Sequence, residues 1–400
     1  MQADAVVIGA GVIGSSIALG LTQRSFGRVV VIDADLSGEL ASSTLNVGGV
    51  RATWWCPVNI ELSKRSLDYF WTVREKIKYR RLGYLWLYDK LAWPKARKAV
   101  SRLNRFGLGV EVLTPRDVLD HAREIDCVDG VAGATFSPLD GLVDSARIKL
   151  HYQEEAKAKG AIFLDRWFVS AITQEDGRWR VGGQEIQDQG RTKAYLISHP
   201  GKIDETLSIS APVVVNAAGP WAARIANLYG DKVPSAPQRR QVFYVKHPWL
   251  KFEGQGMIVD DSGAFIQCLP DDEILCGFAD PAEPMGYRFD WDGPQFYREM
   301  VLPKLARRIS LYPQAELIKG WARLYDHSPD RSGMIGRVRG RPGLFQAHSF
   351  SGHGVMQSYG VGQALSELIT DGQYKDWKIA EALNPYRFEK GETVFEPLYI

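Results

Sequence analysis

The chain has 400 residues, 45% hydrophobic and 24% charged, which is enough to bury a large core over roughly two to three domains. Lysine and arginine number 49 against 47 acids, a formal net charge of +2. That balance lacks the basic excess of a nucleic-acid protein and excludes that class of partner. The four cysteines, Cys56, Cys127, Cys268 and Cys276, form no C-x-x-C pair, so neither a zinc site nor a disulfide framework is signalled. No stretch reaches the roughly 18 uncharged apolar residues of a membrane span. The expected location is the cytoplasm, with attachment to a membrane surface left open.

The apolar opening run, Ala5 to Leu21, is broken by Gly9, Gly11 and Gly14 and lacks a basic leading region. It reads as structure rather than as a secretory leader. Ala5–Ile8 is a buried parallel strand, Ser15 to about Arg24 a helix, and Val29–Ile32 a second strand ending at Asp33. Between strand and helix lies Gly9-Ala10-Gly11-Val12-Ile13-Gly14, a G-x-G-x-x-G turn. Gly9 allows the sharp turn, Gly11 lets backbone approach a pyrophosphate, and Gly14 lets helix pack on strand. The helix N-terminus offers free N–H groups to phosphate. Asp33, with Ala34 after it, sits where a carboxylate bonds a ribose hydroxyl. The unit predicts dinucleotide binding, and by itself leaves NAD and FAD both open.

Next comes the loop Ala41–Arg51, whose Ser42, Ser43, Asn46, Val47, Gly48 and Gly49 suit close passage of a phosphate and a flat ring, or simply a surface loop. Helices are expected over Val58–Lys78, Pro94–Phe106 and Ser145–Lys159, the last capped by Asp144. Strands are expected at Phe168–Ile172 (with Val169 beside the ligand), Val213–Asn216, Arg240–Lys246, Ala264–Leu269 and Ile274–Phe278. The last two form a hairpin across Pro270-Asp271-Asp272. Asn216-Ala217-Ala218-Gly219-Pro220-Trp221 is another small-residue turn after a buried strand. Pro294–Ile309 reads as a helix, Gly343–Ala347 as a strand and Gly354–Asp371 as a helix. Gly352-His353-Gly354-Val355-Met356 opens that helix and presents bare N–H groups, and the plain alternative for His353 is a capping or core histidine. No repeat or linker divides the chain, so two interleaved domains are expected, with Val213–Asn216 and Gly343–Ala347 returning to the first sheet.

Taken in order, GAGVIG, ASSTLNVGGVR, DGLVDSARI, NAAGPWA, PQRRQVFYV and FSGHGVMQS resemble the D-amino-acid oxidase superfamily of FAD proteins, which includes glycine and sarcosine oxidases. STLNVGGVR, PVNIELSKRSLDYF and NPYRFEKGE are similar to the FAD-containing complex I assembly factor type. The resemblance implies a mixed α/β fold. A Rossmann-like FAD domain (1–80, 141–222, 320–400) would interleave with an antiparallel-sheet substrate domain (81–140, 223–319). It implies FAD on Gly9–Gly14, Asp33, Ala34, Ser42, Ser43, Asn46–Gly49, Val169, Ala217–Gly219, Trp221 and Gly352–Met356. It also implies oxidation of a small amine or (N-alkyl) amino acid by hydride transfer to the flavin, with the imine then hydrolysed. Arg323 falls at the carboxylate-binding arginine of glycine oxidase-like members. Arg51 is a second candidate, and Tyr325, Trp321 and His353 could border the pocket; salt bridges and core packing are the bland readings.

Three departures from the family pattern carry consequences. Arg323 stands where covalent members carry a cysteine, and the Ser42–Arg51 loop has no histidine, which implies noncovalent FAD. Leu275 stands where monomeric sarcosine oxidase places an oxygen-activating lysine, which implies a dehydrogenase serving a carrier protein or quinone, alone or in a homo- or hetero-oligomer. Met356 replaces a second carboxylate-binding lysine, so the substrate's anionic group would either be held differently or not be an α-carboxylate. A flavin-stabilised assembly or scaffold protein with little turnover is the alternative from another class, and an NAD(P)-dependent dehydrogenase of opine or imine type is a third.

Overall fold

The computed structural model describes residues 1–187, 189–198, 205–250, 254–269 and 273–398, so the expected turn Pro270-Asp271-Asp272 lies outside the described residues. Four-residue runs made almost wholly of valine, isoleucine and alanine must be covered on both sides. Ala5–Ile8, Val29–Ile32 and Val213–Asn216 are such runs, and every residue in them is buried. They form the centre of a six-stranded sheet ordered 334–337, 344–348, 213–216, 5–8, 29–32, 162–164. All pairs in it are parallel except Met334–Arg337 on Leu344–His348. The helices Val12–Gln23, Ser145–Ala158 and Gly354–Asp371 pack together on one face, where Gly20 meets Ser366 and Gly362 meets Ser16 so closely that neither could carry a side chain. Asp144 caps its helix by accepting from the Arg147 N–H at 3.1 Å. A three-stranded antiparallel sheet, Trp167–Glu175, Arg178–Glu185 and Leu207–Ala211, covers the other side.

The second sheet has eight strands, ordered 316–327, 236–246, 273–278, 264–268, 257–259, 84–88, 133–137, 111–113. It is antiparallel except where Met257–Val259 runs parallel to Tyr84–Tyr88. Side chains alternate faces along a strand, and here the alternation splits the molecule's cores. Tyr84, Trp86, Tyr88, Met257, Val259 and Phe265 join the core of the first lobe. Leu85, Leu87, Phe243, Ile258, Ile266, Ile274 and Cys276 join a separate core under Tyr297, Val301, Leu305 and Ile309.

Several expectations are corrected. The helix expected over Pro294–Ile309 is three short pieces, with a π-helical turn over Tyr297–Val301. Pro303 lacks the N–H that a continuous α-helix would need there. The helix expected over Val58–Lys78 breaks at Val73, and Lys78 turns left-handed at φ 53°. The boundary expected after residue 319 falls inside the strand Glu316–His327, which the sequence reading did not separate from its surroundings and which pairs along Ala236–Lys246. The boundary after 222 falls inside the helix Ala222–Leu228, whose Ile225 and Ala226 pack with the first sheet. A further strand, Tyr84–Tyr88, lies where no element is expected. Among the described residues no helix is long and apolar enough to cross a membrane, no group of His, Cys, Asp or Glu could hold a metal, and the four cysteines are free thiols.

Candidate active site

A cleft of about 1400 Å³, its open mouth included, runs from the ends of the first parallel strands to the start of the last long helix. Its floor is the first strand–helix turn. A Cβ on Gly9 would stand 2.4 Å from the Ala217 carbonyl oxygen, and one on Gly14 would stand 1.8 Å from that of Gly9. These two glycines are therefore demanded by the fold. Gly11 is not: its Cβ would meet only the Ser43 hydroxyl, 3.9 Å away. The space above Gly11 is room for a ligand. The helix that begins there, Val12–Gln23, has no side-chain cap, and the Ser43 hydroxyl is buried without a hydrogen-bond partner. Bare N–H groups, an open glycine and an orphan hydroxyl fit a pyrophosphate.

Asp33 accepts from the Ala10 N–H at 2.5 Å and, through its other oxygen, from the Asp35 N–H at 2.9 Å. Burial raises its carboxyl to about 6. Lys149 donates to the Leu36 and Ser37 carbonyls, both at 3.1 Å, and closes the loop beside it. Ala34, Val169, Ala217, Ala218, Gly219 and Trp221 line this end together with Trp167, Phe168 and Arg224.

At the other end the loop 42–49 is tied to the large sheet. Ser42 donates to the Leu324 carbonyl at 2.6 Å, Trp321 and Arg323 donate to that of Leu45 at 3.0 and 3.4 Å, and Gln267 donates to that of Val47. Asn46 holds the loop's own turn by accepting from the Gly48 N–H at 2.6 Å. Gly49 passes so close to the Tyr84 hydroxyl that no side chain fits. Gly352, at φ +87°, lies against the ring of Tyr325, where a Cβ would stand 2.4 Å from a ring carbon. Next in sequence, the His353 ring packs against Trp54 at a tilt of 51°, with centroids 4.1 Å apart, and its Nδ1 has no hydrogen-bond partner. Burial, and after it the charge of Arg51, lowers its pKa and keeps it neutral. The helix after it has no side-chain cap, so Gly354 and Val355 bring unsatisfied N–H groups to the cleft wall, which Met356 backs from a buried position.

The family model described as FAD dependent oxidoreductase (DAO) matches residues 4–368. The chain belongs to this family. A bovine protein named FAD-dependent oxidoreductase domain-containing protein 1 is 25% identical over 99% of this chain and 86% of its own. L-proline dehydrogenase from P. horikoshii superposes with a TM-score of 0.84 at 25% identity, over 98% of this chain and 99% of that one. Glycine oxidase from Geobacillus kaustophilus, at 20% identity and covering 96% and 99%, superposes with a TM-score of 0.77 and shares the fold.

In this DAO-family chain the structure brings most of the expected cofactor residues into one cleft: Gly9, Gly11, Val12, Ile13, Asp33, Ala34, Ser42, Ser43, Asn46, Val169, Ala217–Gly219, Trp221, Gly352, Gly354 and Val355 all line it, and so does Tyr325. Ala10 and Gly14 act one step behind, through Asp33 and through helix packing. Gly48 and Gly49 shape the crossover between lobes, Gly48 by passing the Val143 carbonyl. Arg51 is a correction. Its guanidinium donates to the carbonyls of Thr53 (2.7 Å) and Leu398 (2.8 Å) and lies 3.5 Å over Trp54, so it secures the C-terminal tail. Trp321 is a tether of the loop rather than a pocket wall. Sequence reasoning missed His348, which lines the cleft, and Tyr84 and Gln267, which meet the loop 42–49.

Proposed function

We propose that the chain is an FAD-dependent dehydrogenase that oxidises the C–N bond of a small amine or (N-alkyl) amino acid, with FAD held noncovalently. When bound, FAD supplies the two-electron acceptor for the hydride leaving the substrate's α-carbon, and the imine released is hydrolysed by water to an aldehyde or oxo acid. The single observation that carries the reading is the meeting of Tyr325 with the Gly352–His353 turn. It places the Arg323 strand of the large sheet against the cleft end where the last helix begins.

The chain's own groups divide the work. The first turn, Ser43 and Asp33 would hold the diphosphate and ribose. The N–H groups opening the last helix would steady negative charge on the reduced ring. Arg323 donates from Nη2 to the Tyr325 hydroxyl at 3.1 Å, and its Nε has no acceptor. It has a donor left for a substrate carboxylate. His353 is neutral and cannot add a second charge there. No cysteine lines the cleft among the described residues, which supports noncovalent attachment. Leu275 pairs with Gln267 and Tyr244 in the large sheet, on the face whose Gln267 reaches the cofactor loop. An apolar side chain there supports an acceptor other than oxygen.

The test is product analysis under air. Turnover with an artificial electron acceptor should yield the aldehyde or oxo acid with little peroxide. Stoichiometric peroxide would make the protein an oxidase. No product across a broad amine panel would favour a scaffold role.

A further inference from the structure

Between Lys90 and Val110 the chain carries six lysines and arginines and no acid, which leaves the rest of it with more acids than bases. Five of the six stand on the helix Trp93–Arg105. Pro94 opens that helix in its first turn, where no N–H is needed. Its buried positions, Ala96, Val100 and Leu103, recur at helical spacing and turn one stripe onto the strands Gly133–Ser137 and Glu111–Leu113. Lys95, Lys98, Arg102 and Arg105, three or four residues apart, share the opposite stripe, and all four are exposed. Lys90 and Arg97 are exposed as well.

Arg102 donates to the Trp55 carbonyl at 2.8 Å. Lys90, Lys95, Arg97, Lys98 and Arg105 form no ion pair among the described residues. Like charges at this spacing repel, and no acid is interspersed to offset them. The acids that bound the segment are Asp89 and Glu111. Asp89 accepts from the Leu91 and Ala92 N–H groups at 2.9 and 2.7 Å. This fixes the backbone of Leu91 just before the helix, yet its side chain is 85% exposed, more than any other large apolar side chain among the described residues. Trp93, two residues on, is turned inward and lies so close to Gly133 that no side chain fits there.

We propose that this helix face docks the protein on an anionic lipid surface, with Leu91 entering the headgroup region. Clustered cations beside a fixed apolar side chain complement negative headgroups laid over acyl chains. An acidic protein would neutralise the cations but gives no reason for Leu91 to stand in water. The docking is peripheral and independent of the amine-oxidising reading.

Co-sedimentation of the FAD-loaded protein with two kinds of vesicle tests it: phosphatidylcholine alone, and phosphatidylcholine with about one third phosphatidylglycerol. One cation near an anionic surface is worth about 5-fold in binding. The anionic vesicles should therefore bind at least about 100-fold more tightly at low salt, and the difference should shrink as salt rises. Lys95→Gln combined with Lys98→Gln should weaken that binding about 25-fold. Leu91→Ser should weaken it about 10-fold, because one apolar side chain leaves the interface. All three side chains are exposed, so flavin content and melting temperature should not move in either variant. Equal binding to both kinds of vesicle, or binding that the lysine variant leaves undiminished, overturns the assignment. So does capture by polyglutamate without any binding to vesicles, which would point to an acidic protein. Flavin reduction by amines is a separate measurement, so either reading can fail while the other stands.

Discussion

Arg51 donates from Nη2 to the backbone carbonyl of Leu398 at 2.8 Å, so the cation after the Gly48-Gly49 turn is committed to the C-terminal tail. The same tail contributes Glu396, whose carboxylate accepts from the Trp55 and Cys56 N–H groups at 3.1 Å and caps a helix that begins at Pro57 without a side-chain cap of its own. Arg51→Met should therefore act through the tail. We expect a stability loss of about 2–4 kcal/mol, from two buried charged hydrogen bonds and a guanidinium stacked on Trp54. We also expect faster carboxypeptidase removal of the last residues. If the tail stays as protected as before while substrate KM rises, Arg51 holds substrate and its assignment to the tail is wrong.

The two glycines of the first turn should respond in opposite ways. Gly9 has φ +103° and faces backbone at 2.4 Å, so Gly9→Ala should cost more than about 3 kcal/mol and abolish folding. Gly11 has φ −64° and open space, so Gly11→Ala should leave apoprotein stability within about 1 kcal/mol. It should weaken FAD by at least about 10-fold, because the methyl group occupies the approach to the diphosphate. Differential scanning and flavin titration of both variants check this. A Gly11→Ala protein that binds FAD normally would remove the diphosphate from that position.

How much of this was legible in the sequence follows from the range of each contact. The first turn, the buried strands and the opening of the last helix announce themselves, because their glycines and valine runs answer to local constraints. The strand Glu316–His327 did not. It mixes Lys319, Arg323 and Asp326 with apolar residues, since one face meets the cleft and the other meets a different core. Arg51 misled for the same reason: its partner is 347 residues away, at Leu398.

Arg323→Ala should raise KM for an amino-acid substrate by about 10–100-fold with FAD retained, because it removes a charged partner from the carboxylate. Some loosening of the loop 42–49 is also expected, since Arg323 donates to Leu45. Steady-state kinetics beside the flavin content of the purified variant separate the two effects. Unchanged kinetics would take Arg323 out of the site.

Leu275→Lys would set a cation on the cleft-facing side of the large sheet. Reoxidation of the reduced flavin by oxygen should accelerate, as read by stopped-flow absorbance. An unmoved rate would mean that Leu275 does not face the ring.

The buried histidines fix a pH dependence. Burial lowers His348 to about 3, against an ordinary 6.5. The unfolded chain therefore binds a proton that the folded protein excludes. This contribution is fully present above about pH 6.5 and is lost as pH falls from there toward 3. Asp33 and Asp326, both raised to about 6, work in the opposite sense over the same interval. His348→Gln should reduce the slope of stability against pH between about 4 and 6 by about 1.4 kcal/mol per pH unit. Urea unfolding at several pH values measures it, and an unchanged slope would mean that His348 is protonated in the folded protein.

Anaerobic addition of amino acids to the FAD-loaded protein is the most direct measurement of all. The account predicts that an amino acid bleaches the oxidised-flavin absorbance and that Arg323→Ala slows the bleaching. A flavin that binds normally, yet is reduced only by dithionite across amines of every class, would contradict it.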